Sequence, residues 1–306
     1  MDSLILHHYS LSPYAAKTRM VLNYKKLPWR SVEVPMIMPK PLLGALTGGW
    51  RMVPVLQEGA DIYLDSKLIV ERLEQLGPSP SIFASTDPVR EAALSQWGQS
   101  VFMDGVRLSL CEGRLPAPFL DDRRQIVPDG LLDINAAQAA IPSLTERVRS
   151  LIVLAERQLQ DGRHYLCGET ASLVDFSAWV SLGPALKRKS AAIMFAGCEK
   201  VLQWLERVAA YDHCTGVPMT GEEAIEVAAK SNPDLSTGTI GNDPNGYGVG
   251  EHIRFSSSEY RCEPVAGEVL RTTASTISVV RHDSVVGDVV VHFPRDMMDV
   301  ERVLAN

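Results

Sequence analysis

The stretch Val53-Pro-Val-Leu-Gln-Glu-Gly-Ala-Asp-Ile-Tyr-Leu-Asp-Ser66 decides the fold of this chain. A proline is excluded from the middle of a sheet ladder, and a cis X-Pro bond can present the preceding backbone group to a ligand. Gly59 supplies a turn, which predicts a hairpin with strands over Pro54–Gln57 and Asp61–Leu64. The stretch therefore predicts a β-hairpin that begins at a proline edge.

An acid and a hydroxyl follow the hairpin directly. Asp65 and Ser66 stand just before an expected helix over Lys67–Glu74. The free backbone N–H groups and the positive dipole end at a helix start favour an anion there. Together with the Val53-Pro54 edge, this arrangement predicts a grip for an extended peptide that carries an amine and carboxylates. A simple helix cap is the alternative interpretation of Asp65 and Ser66.

The residues upstream of this hairpin predict the first half of the same α/β unit. Leu4–His8 is an apolar strand, Ala15–Lys26 is an amphipathic helix and Trp29–Val34 is a second strand. Ser12 is an N-cap residue directly before Pro13, which suits the first helical position. The order β-α-β, connecting loop, β-β-α is typical of a small α/β unit with a mixed sheet. A site at the N-terminus of its first helix stabilises an anion such as a thiolate.

The pattern becomes mainly helical from Pro88 to Tyr211. The expected helices are Val89–Cys111, Ala136–Leu159, Leu173–Lys189 and Glu199–Ala210, with a last one over Glu222–Lys230. Leu115–Pro128 contains three prolines, which indicates a loop over or between the helices.

The tail changes pattern again. Ser231–Gly250 is polar and glycine-rich and has no periodic burial pattern. Gly267–Arg271, Thr276–Arg281 and Asp288–Phe293 are short strand-like runs joined by turn residues. They predict a small antiparallel β-module at the C-terminal end.

Composition and charge limit the function classes. The 306 residues suit two or three domains, and the formal net charge of −7 gives no support for a nucleic-acid surface. The five cysteines form no CxxC pair and no metal-ligand spacing, which predicts reduced thiols and no metal site. Neither a signal peptide nor a membrane-spanning apolar stretch is evident, so we expect a cytoplasmic protein without a membrane partner.

Residues 1–77 resemble the thioredoxin-like domain of the cytosolic glutathione transferases. Tyr9–Arg19 is similar to their catalytic strand-helix junction, and Val53-Pro54 is similar to their cis-proline. Asp65-Ser66 is similar to the acid-serine pair that binds the γ-glutamyl end of glutathione in that family.

The helical region carries further motifs of the same family. Gly168–Phe176 resembles the capping signature of its all-helical domain, in which Ser172 and Asp175 form a capping box. The resemblance implies an α/β plus all-α fold. It has a thioredoxin-like glutathione-binding domain over 1–77, an all-helical domain over 85–230 and an added β-rich module over 249–306. Such a module is absent from an ordinary glutathione transferase and is similar to the tail of a group of fungal members.

The resemblance places glutathione, as a co-substrate, on the first domain. Val53, beside Pro54, pairs with its cysteinyl backbone, while Asp65 and Ser66 hold its γ-glutamyl group. Lys40, in the loop after the second strand, either meets the glycyl carboxylate or is a solvated surface lysine.

Ser12 occupies the position of the first active-site cysteine of thioredoxin-like relatives. Without a thiol, disulfide exchange through this residue is not possible. Its hydroxyl can instead donate a hydrogen bond to the glutathione sulfur and so favour the thiolate. Ser10, Tyr9 and Tyr14 are the alternative donors, and an N-cap without a catalytic role is the simplest interpretation of Ser12.

The electrophile pocket is expected between the first two domains. Trp97, Phe102, Met103 and Val106 supply apolar surface on the first long helix, although core packing is the simpler role for most of them. An apolar wall with few polar groups favours small hydrophobic substrates.

We therefore expect a glutathione transferase-like enzyme and, from the resemblance, a two-fold homodimer. The expected reaction is conjugation, isomerisation, dehalogenation or epoxide opening, since all four begin with attack of the thiolate on an electrophilic carbon. A non-catalytic interaction protein on this fold and a glutathione-independent lyase or isomerase are the alternatives.

Overall fold

A computed structural model describes residues 4–83, 87–213, 216–239 and 243–303 of the chain. The first part alternates strands and helices. Its elements are β1 (Leu4–His8), α1 (Pro13–Tyr24), β2 (Trp29–Glu33), α2 (Pro41–Thr47), β3 (Val55–Glu58), β4 (Asp61–Leu64) and α3 (Ser66–Leu76). Every strand and helix predicted for this part is present, and α2 is added to them.

The first part folds around the strand β1. It pairs in parallel with β2 and antiparallel with β3, and β3 pairs antiparallel with β4. Met20 and Leu22 of α1 are fully buried in the core beside this sheet. Ser12 caps α1, its Oγ accepting the Ala15 N–H at 3.3 Å. Gly59 has a φ of 60° in the turn of the hairpin, which suits glycine. The result is the expected thioredoxin-like unit.

The second part is helical. It contains α4 (Pro88–Gln99), α5 (Phe102–Cys111), α6 (Ala117–Arg124), α7 (Ile134–Ala139), α8 (Ile141–Gln158), α9 (Leu173–Leu182), α10 (Ala191–Met194), α11 (Glu199–Ala209) and α12 (Gly221–Lys230), with short 3-10 helices at Leu159–Asp161 and Pro184–Lys187. Its core includes Trp204 and Phe176, both fully buried. A short strand, β5 (Val217–Pro218), pairs with β2. None of the helices in the described ranges is both long and apolar enough to cross a bilayer.

Four predictions for the helical part are wrong, and one of them is the helix Leu173–Lys189, since α9 ends at Leu182 and a 3-10 helix follows at Pro184–Lys187. The predicted helices Val89–Cys111 and Ala136–Leu159 are each broken in two. A proline stands in the first turn of α8. A backbone N–H in this turn has no acceptor within the helix, so the proline removes no helical hydrogen bond. Leu115–Pro128, predicted as a loop, contains α6, which also has a proline in its first turn. Prolines at these positions start helices and do not interrupt them.

The C-terminal part is β-rich, as predicted. Its strands are β6 (His252–Ser257), β7 (Val265–Thr272), β8 (Thr276–Asp283), β9 (Gly287–Pro294) and β10 (Met298–Arg302), with one 3-10 turn at Arg295–Met297. The three predicted strands correspond to β7, β8 and β9, and the prediction missed β6 and β10. All neighbours within this part pair antiparallel, with β10 beside β6.

The strand β9 joins the C-terminal strands to the first sheet. Ile62 of β4 pairs in parallel with Val291 of β9, in the middle of three such pairs. One ten-stranded sheet results, in the order β10-β6-β7-β8-β9-β4-β3-β1-β2-β5. The C-terminal strands thus extend the thioredoxin-like sheet, while the domain limits at 77, 85, 230 and 249 stay predictions.

The junction between the two sheets is packed and hydrogen-bonded. His292 Nε2 lies 3.0 Å from Asp61 Oδ1, and its Nδ1 lies 2.8 Å from Ser278 Oγ. Tyr63 of β4 stacks on His292 of β9, with 4.2 Å between ring centroids. Buried polar groups that find partners and rings in contact hold the added strands firmly against β4.

Candidate functional site

A cavity of about 1430 Å³ opens between the start of α3, the helices α4 and α5, and two turns of the C-terminal part. Val53, Pro54, Asp65 and Ser66 line it from the thioredoxin-like part. Pockets for one small ligand usually measure roughly 300–1,000 Å³. This cavity therefore has room for a peptide and a second compound.

Asp65 has an unusual backbone conformation at the start of α3. Its φ of 70° and ψ of 139° are rare for a residue with a side chain, and such strain is typical of ligand sites. The Asp65 carboxylate accepts the Lys67 N–H at 2.7 Å and so caps α3. Ser66, only 5% exposed, follows in the first turn. Both residues predicted to grip an amine and a carboxylate line the cavity.

Val53 and Pro54 are joined by a cis peptide bond and line the cavity beside β3. The ladder between β1 and β3 includes the pair of His7 and Val55, directly after the proline. The Val53 backbone lies beyond that end of the ladder, at the cavity.

The four candidate hydroxyls lie in different surroundings. Ser12 is buried at the cap of α1, while Ser10 is exposed. The Tyr9 hydroxyl accepts a hydrogen bond from Arg123 Nη2 at 3.2 Å. Among these four described residues, Tyr14 is the one that lines the cavity.

Tyr14 approaches the cavity from the first turn of α1. Its ring packs edge-on against Phe102, with 5.0 Å between centroids. Burial raises the pKa of Tyr14, and three neighbours add to the shift: Tyr260, Glu259 and Asp65. The Tyr14 hydroxyl therefore stays protonated and can act as a donor.

Lys17 lies beside Tyr14, with its Nζ 5.4 Å from the ring centroid. The residue is 4% exposed and lines the cavity. Burial lowers the pKa of Lys17 to about 8, and the attraction of Asp65 opposes this shift. Within the described part of the chain, the Lys17 ammonium forms no hydrogen bond and no ion pair. No sequence motif marks Lys17, although it shares one face of α1 with Tyr14 at a spacing of three residues.

Lys40 is buried and is not among the residues that line the cavity. Its ammonium donates to the Arg51 carbonyl oxygen at 2.9 Å. Burial, together with the nearby Arg123 and Arg51, lowers the pKa of Lys40 to about 8. Asp122 forms ion pairs with both arginines. The alternative of a solvated surface lysine is therefore wrong. Asp122 and Arg123 were not among the predicted site residues because their segment, α6, was predicted to be a loop.

Two of the four apolar wall residues line the cavity, and two do not. Phe102 and Met103 line it together with Phe83. Trp97 and Val106 instead pack against buried side chains of the helical part. Because the chain breaks between α4 and α5, these residues do not share the single helical face that the sequence suggested.

Two turns of the C-terminal part form a further wall of the cavity. This C-terminal wall consists of Ser257, Glu259, Tyr260, Asp296, Met297 and Met298. Asp296 forms an ion pair with Lys67 in the first turn of α3. Sequence reasoning missed the wall because its position depends on the pairing of β9 with β4, which no local motif marks.

Asp175 supports the helical side of the site from the core. Its carboxylate accepts the N–H and the hydroxyl of Ser172 and the N–H of Leu166, at 2.8–2.9 Å. It also accepts the Trp204 indole N–H at 2.8 Å. The predicted capping box is confirmed, and Asp175 additionally joins α9 to α11.

No group of three or more His, Cys, Asp or Glu side chains in the described ranges is arranged to hold a metal ion. Four cysteines are free thiols: Cys111, Cys167, Cys198 and Cys262. Cys214 lies outside the described residues.

Comparison with known families and proteins gives consistent matches. The family model for the glutathione S-transferase N-terminal domain matches residues 6–81. Glutathione S-transferase U2 of Arabidopsis thaliana is 24% identical over 177 residues, which are 58% of this chain and 68% of that protein. FtsZ-localized protein A of Caulobacter vibrioides (strain NA1000 / CB15N) is 28% identical over 180 residues, which are 56% of this chain and 73% of that protein.

A solved structure extends the likeness to nearly the whole chain. A GST-like protein from Pseudomonas syringae is 33% identical, with a TM-score of 0.81, over 98% of this chain and 99% of its own. The Tau class glutathione S-transferase MiGSTU from mango is similar over 68% of this chain and 89% of its own, at 19% identity and a TM-score of 0.51. The mango protein shares the fold, whereas the Pseudomonas protein matches the C-terminal strands as well.

Proposed function

This chain belongs to the cytosolic glutathione transferase superfamily, and on that premise we propose that it is an enzyme that activates the glutathione thiol for attack on a hydrophobic electrophile. One observation carries the proposal: Asp65 and Ser66 line the same cavity as the apolar Phe102 and Met103. A peptide thiol and an apolar compound would therefore meet in one site.

Glutathione is placed along the thioredoxin-like wall. Val53, beside Pro54, pairs through its backbone with the cysteinyl unit. Asp65 attracts the γ-glutamyl ammonium, while Ser66 and the N–H groups at the start of α3 attract the γ-glutamyl carboxylate. Lys40, Arg51 and Arg123 lie close together and form a positively charged cluster. We assign the glycyl carboxylate to this cluster.

Ser12 is the proposed donor to the sulfur. Its Oγ accepts the Ala15 N–H, so its own proton is available for a thiolate. Lowering a thiol pKa by about two units requires roughly 2.7 kcal/mol of preference for the thiolate. One charge-assisted hydrogen bond and the start of a helix together supply a free energy of about this size.

Ser10, Tyr9 and Tyr14 remain alternative donors. Tyr14 lies close enough to Asp65 and Glu259 for their charges to raise its pKa. Tyr14 lines the cavity near Asp65, whereas Ser12 lies at the cap of α1 outside the lining, so the substitutions described below decide between the two donors.

The thiolate attacks an electrophilic carbon of the apolar compound. A carbon–sulfur bond forms, and the electron pair leaves with a halide, opens an epoxide or moves into a conjugated system. Conjugation, dehalogenation, isomerisation and epoxide opening share this first step. We further propose, as the family resemblance implies, a cytoplasmic homodimer that has no nucleic-acid or membrane partner.

Steady-state kinetics with glutathione and an activated aryl halide test the proposal. Ser66→Ala should raise the KM for glutathione by about tenfold, because the γ-glutamyl carboxylate loses a donor. Ser12→Ala should chiefly lower kcat, by roughly 10²-fold, because the thiolate loses its donor. Ser150→Ala, at an exposed position of α8, is the matched control. Parental rates in both test variants would refute the assigned roles, and a loss confined to Tyr14→Phe would transfer the donor role to Tyr14.

A non-catalytic interaction protein is the second candidate. The similarity to FtsZ-localized protein A, whose name describes a location on another protein, favours it. Binding of glutathione without turnover of aryl halides, epoxides and enones would support this candidate over the enzyme.

A further inference from the structure

The C-terminal wall is held in place from two sides. On one side, β9 pairs with β4, which leads directly into Asp65. The N–H and the hydroxyl of Ser258 both donate to the Met297 carbonyl oxygen, at 3.2 and 3.1 Å, and tie the two turns together. On the other side, the Arg261 N–H donates to the Ile126 carbonyl oxygen at 2.7 Å. The wall therefore has a fixed position relative to the start of α3.

Glu259 brings a second carboxylate to the cavity that Asp65 lines. Partial burial and the negative charge of Asp65 both raise the pKa of Glu259, which indicates that the two carboxylates lie close together. Lys67, beside Asp65, is engaged in an ion pair with Asp296 of the same wall. Two neighbouring carboxylates are stabilised when a cation binds between them.

Lys17 supplies the opposite charge in the same cavity. The residue is buried and lines the cavity, and its ammonium lacks a hydrogen-bond or ion-pair partner among the described residues. A buried charge without a partner is costly, and a ligand anion would relieve that cost. The attraction between Lys17 and Asp65 places this ammonium near the start of α3, where Ser66 lies.

We propose that the C-terminal wall completes a clamp for the amino-acid head of the γ-glutamyl group. Glu259 joins Asp65 in holding the ammonium. Lys17 joins Ser66 in holding the α-carboxylate. This inference rests on the proposed function, since it specifies how the cavity recognises one end of glutathione. The clamp gives the added strands a role in binding and selects ligands that carry both charges.

Calorimetric titration of the 306-residue chain with two peptides tests Glu259. The peptides are S-methylglutathione and S-methyl-glutaryl-cysteinylglycine, which lacks only the α-amino group. Glu259→Gln should raise the Kd for S-methylglutathione by about tenfold and leave the Kd for the glutaryl peptide unchanged. Glu263→Gln makes the same change of charge at an exposed position outside the cavity, and it should leave both Kd values unchanged.

The outcomes separate this inference from the proposed function. If the parent chain binds neither peptide, the proposed function fails, and the clamp fails with it. If the parent binds S-methylglutathione and Glu259→Gln binds it equally well, the clamp alone fails. An equal loss for both peptides would also overturn the clamp, because it would show that Glu259 does not act on the ammonium.

A reciprocal titration tests Lys17. The ligand is S-methyl-4-aminobutyryl-cysteinylglycine, which keeps the amine and lacks the α-carboxylate. Lys17→Met should raise the Kd for S-methylglutathione by about tenfold and leave the Kd for the 4-aminobutyryl peptide unchanged. Thermal unfolding without ligand is the control for folding, and Lys17→Met should raise Tm because it removes a buried charge. Equal binding of S-methylglutathione by Lys17→Met and the parent would refute this half of the clamp.

Discussion

Asp175 joins three segments of the helical core through one carboxylate. Asp175→Ala should lower the free energy of unfolding by about 3–5 kcal/mol, because buried N–H groups lose their acceptor. Urea unfolding followed by circular dichroism measures the change. Glu169→Ala, at an exposed position of the same signature, should change stability by less than about 0.5 kcal/mol. A loss below about 1 kcal/mol for Asp175→Ala would contradict the structural role.

His7 makes stability depend on pH. It is buried and bonded to Gln57 at 2.8 Å, and burial lowers its pKa from 6.5 to about 4. Between these two values the unfolded chain binds a proton that the folded chain does not. Stability therefore falls as the pH drops from 6.5 toward 4, and this contribution is complete above pH 6.5.

A substitution isolates the contribution of His7. In His7→Asn, the slope of unfolding free energy against pH between 4 and 6.5 should decrease by up to about 1.4 kcal/mol per pH unit. Urea unfolding at a series of pH values measures that slope. His252→Asn, at an exposed position, is the control. An unchanged slope in His7→Asn would show that His7 titrates normally in the folded chain.

At the residue scale, the predictable part of the site was the part that is contiguous in sequence. Asp65 and Ser66 were recognisable because a cap must stand directly before its helix. Lys17 and Glu259 were not, because their importance arises from neighbours that are distant in sequence. Lys40 was recognised as a candidate, but its burial depends on α6, which the prolines concealed.

The helices α4 and α9 pack closely at one glycine. A Cβ added to Gly98 would lie 2.7 Å from the Ala178 backbone nitrogen. Gly98→Ala should therefore lower the free energy of unfolding by about 1–3 kcal/mol, since overpacking outweighs the gain in helix propensity. Chemical unfolding at equilibrium measures the change.

Gly44 in α2 is the matched control for Gly98. Nothing lies within 4 Å of an added Cβ at this position. Gly44→Ala should raise the free energy of unfolding by about 0.5–1 kcal/mol, because alanine has the higher helix propensity. Changes of the same sign in both variants would contradict the close packing of α4 on α9.

At the scale of elements, the sequence pattern identified three of the five C-terminal strands and missed β6 and β10. The strands β8 and β9 contain runs of consecutive buried residues, whereas β6 alternates buried with more exposed residues and β10 is mostly exposed and carries charges. The break between α4 and α5 was missed because both halves continue an apolar pattern. Hydrophobic periodicity indicates which residues are buried, but it does not show where the chain changes direction.

The C-terminal strands are integral to the whole molecule. Without residues 231–306, the edge of β4 and the buried Leu43, Leu46 and Trp50 would lose their cover. A chain ending at Lys230 should therefore aggregate, since an open strand edge beside apolar surface associates with other chains. Size-exclusion chromatography with light scattering measures this.

A shorter truncation provides the control. A chain that ends at Met297 loses β10, which is mostly exposed, and keeps the contact of β9 with β4. It should remain soluble and elute as the parent does. A soluble, folded chain ending at Lys230 would refute the view that the C-terminal strands complete the core.

At the scale of the molecule, the two separate sheets were predictable and their union was not. Local patterns predict that a strand forms, but they do not predict its partner. Ile62 and Val291 are both buried, and nothing in either sequence segment marks them as neighbours. The cavity therefore had one wall more than sequence reasoning assigned to it.

The contact of β4 with β9 also has a consequence for synthesis on the ribosome. The hydrogen-bonding edge of β4 leaves the ribosome before the helical part is made, and its partner strand β9 emerges only after that part is complete. Pairing between strands so far apart in sequence slows folding, and the partly folded chain is prone to aggregation during that interval. We expect recombinant yield to rise when holdase chaperones are co-expressed, because they shield the edge of β4 until β9 emerges.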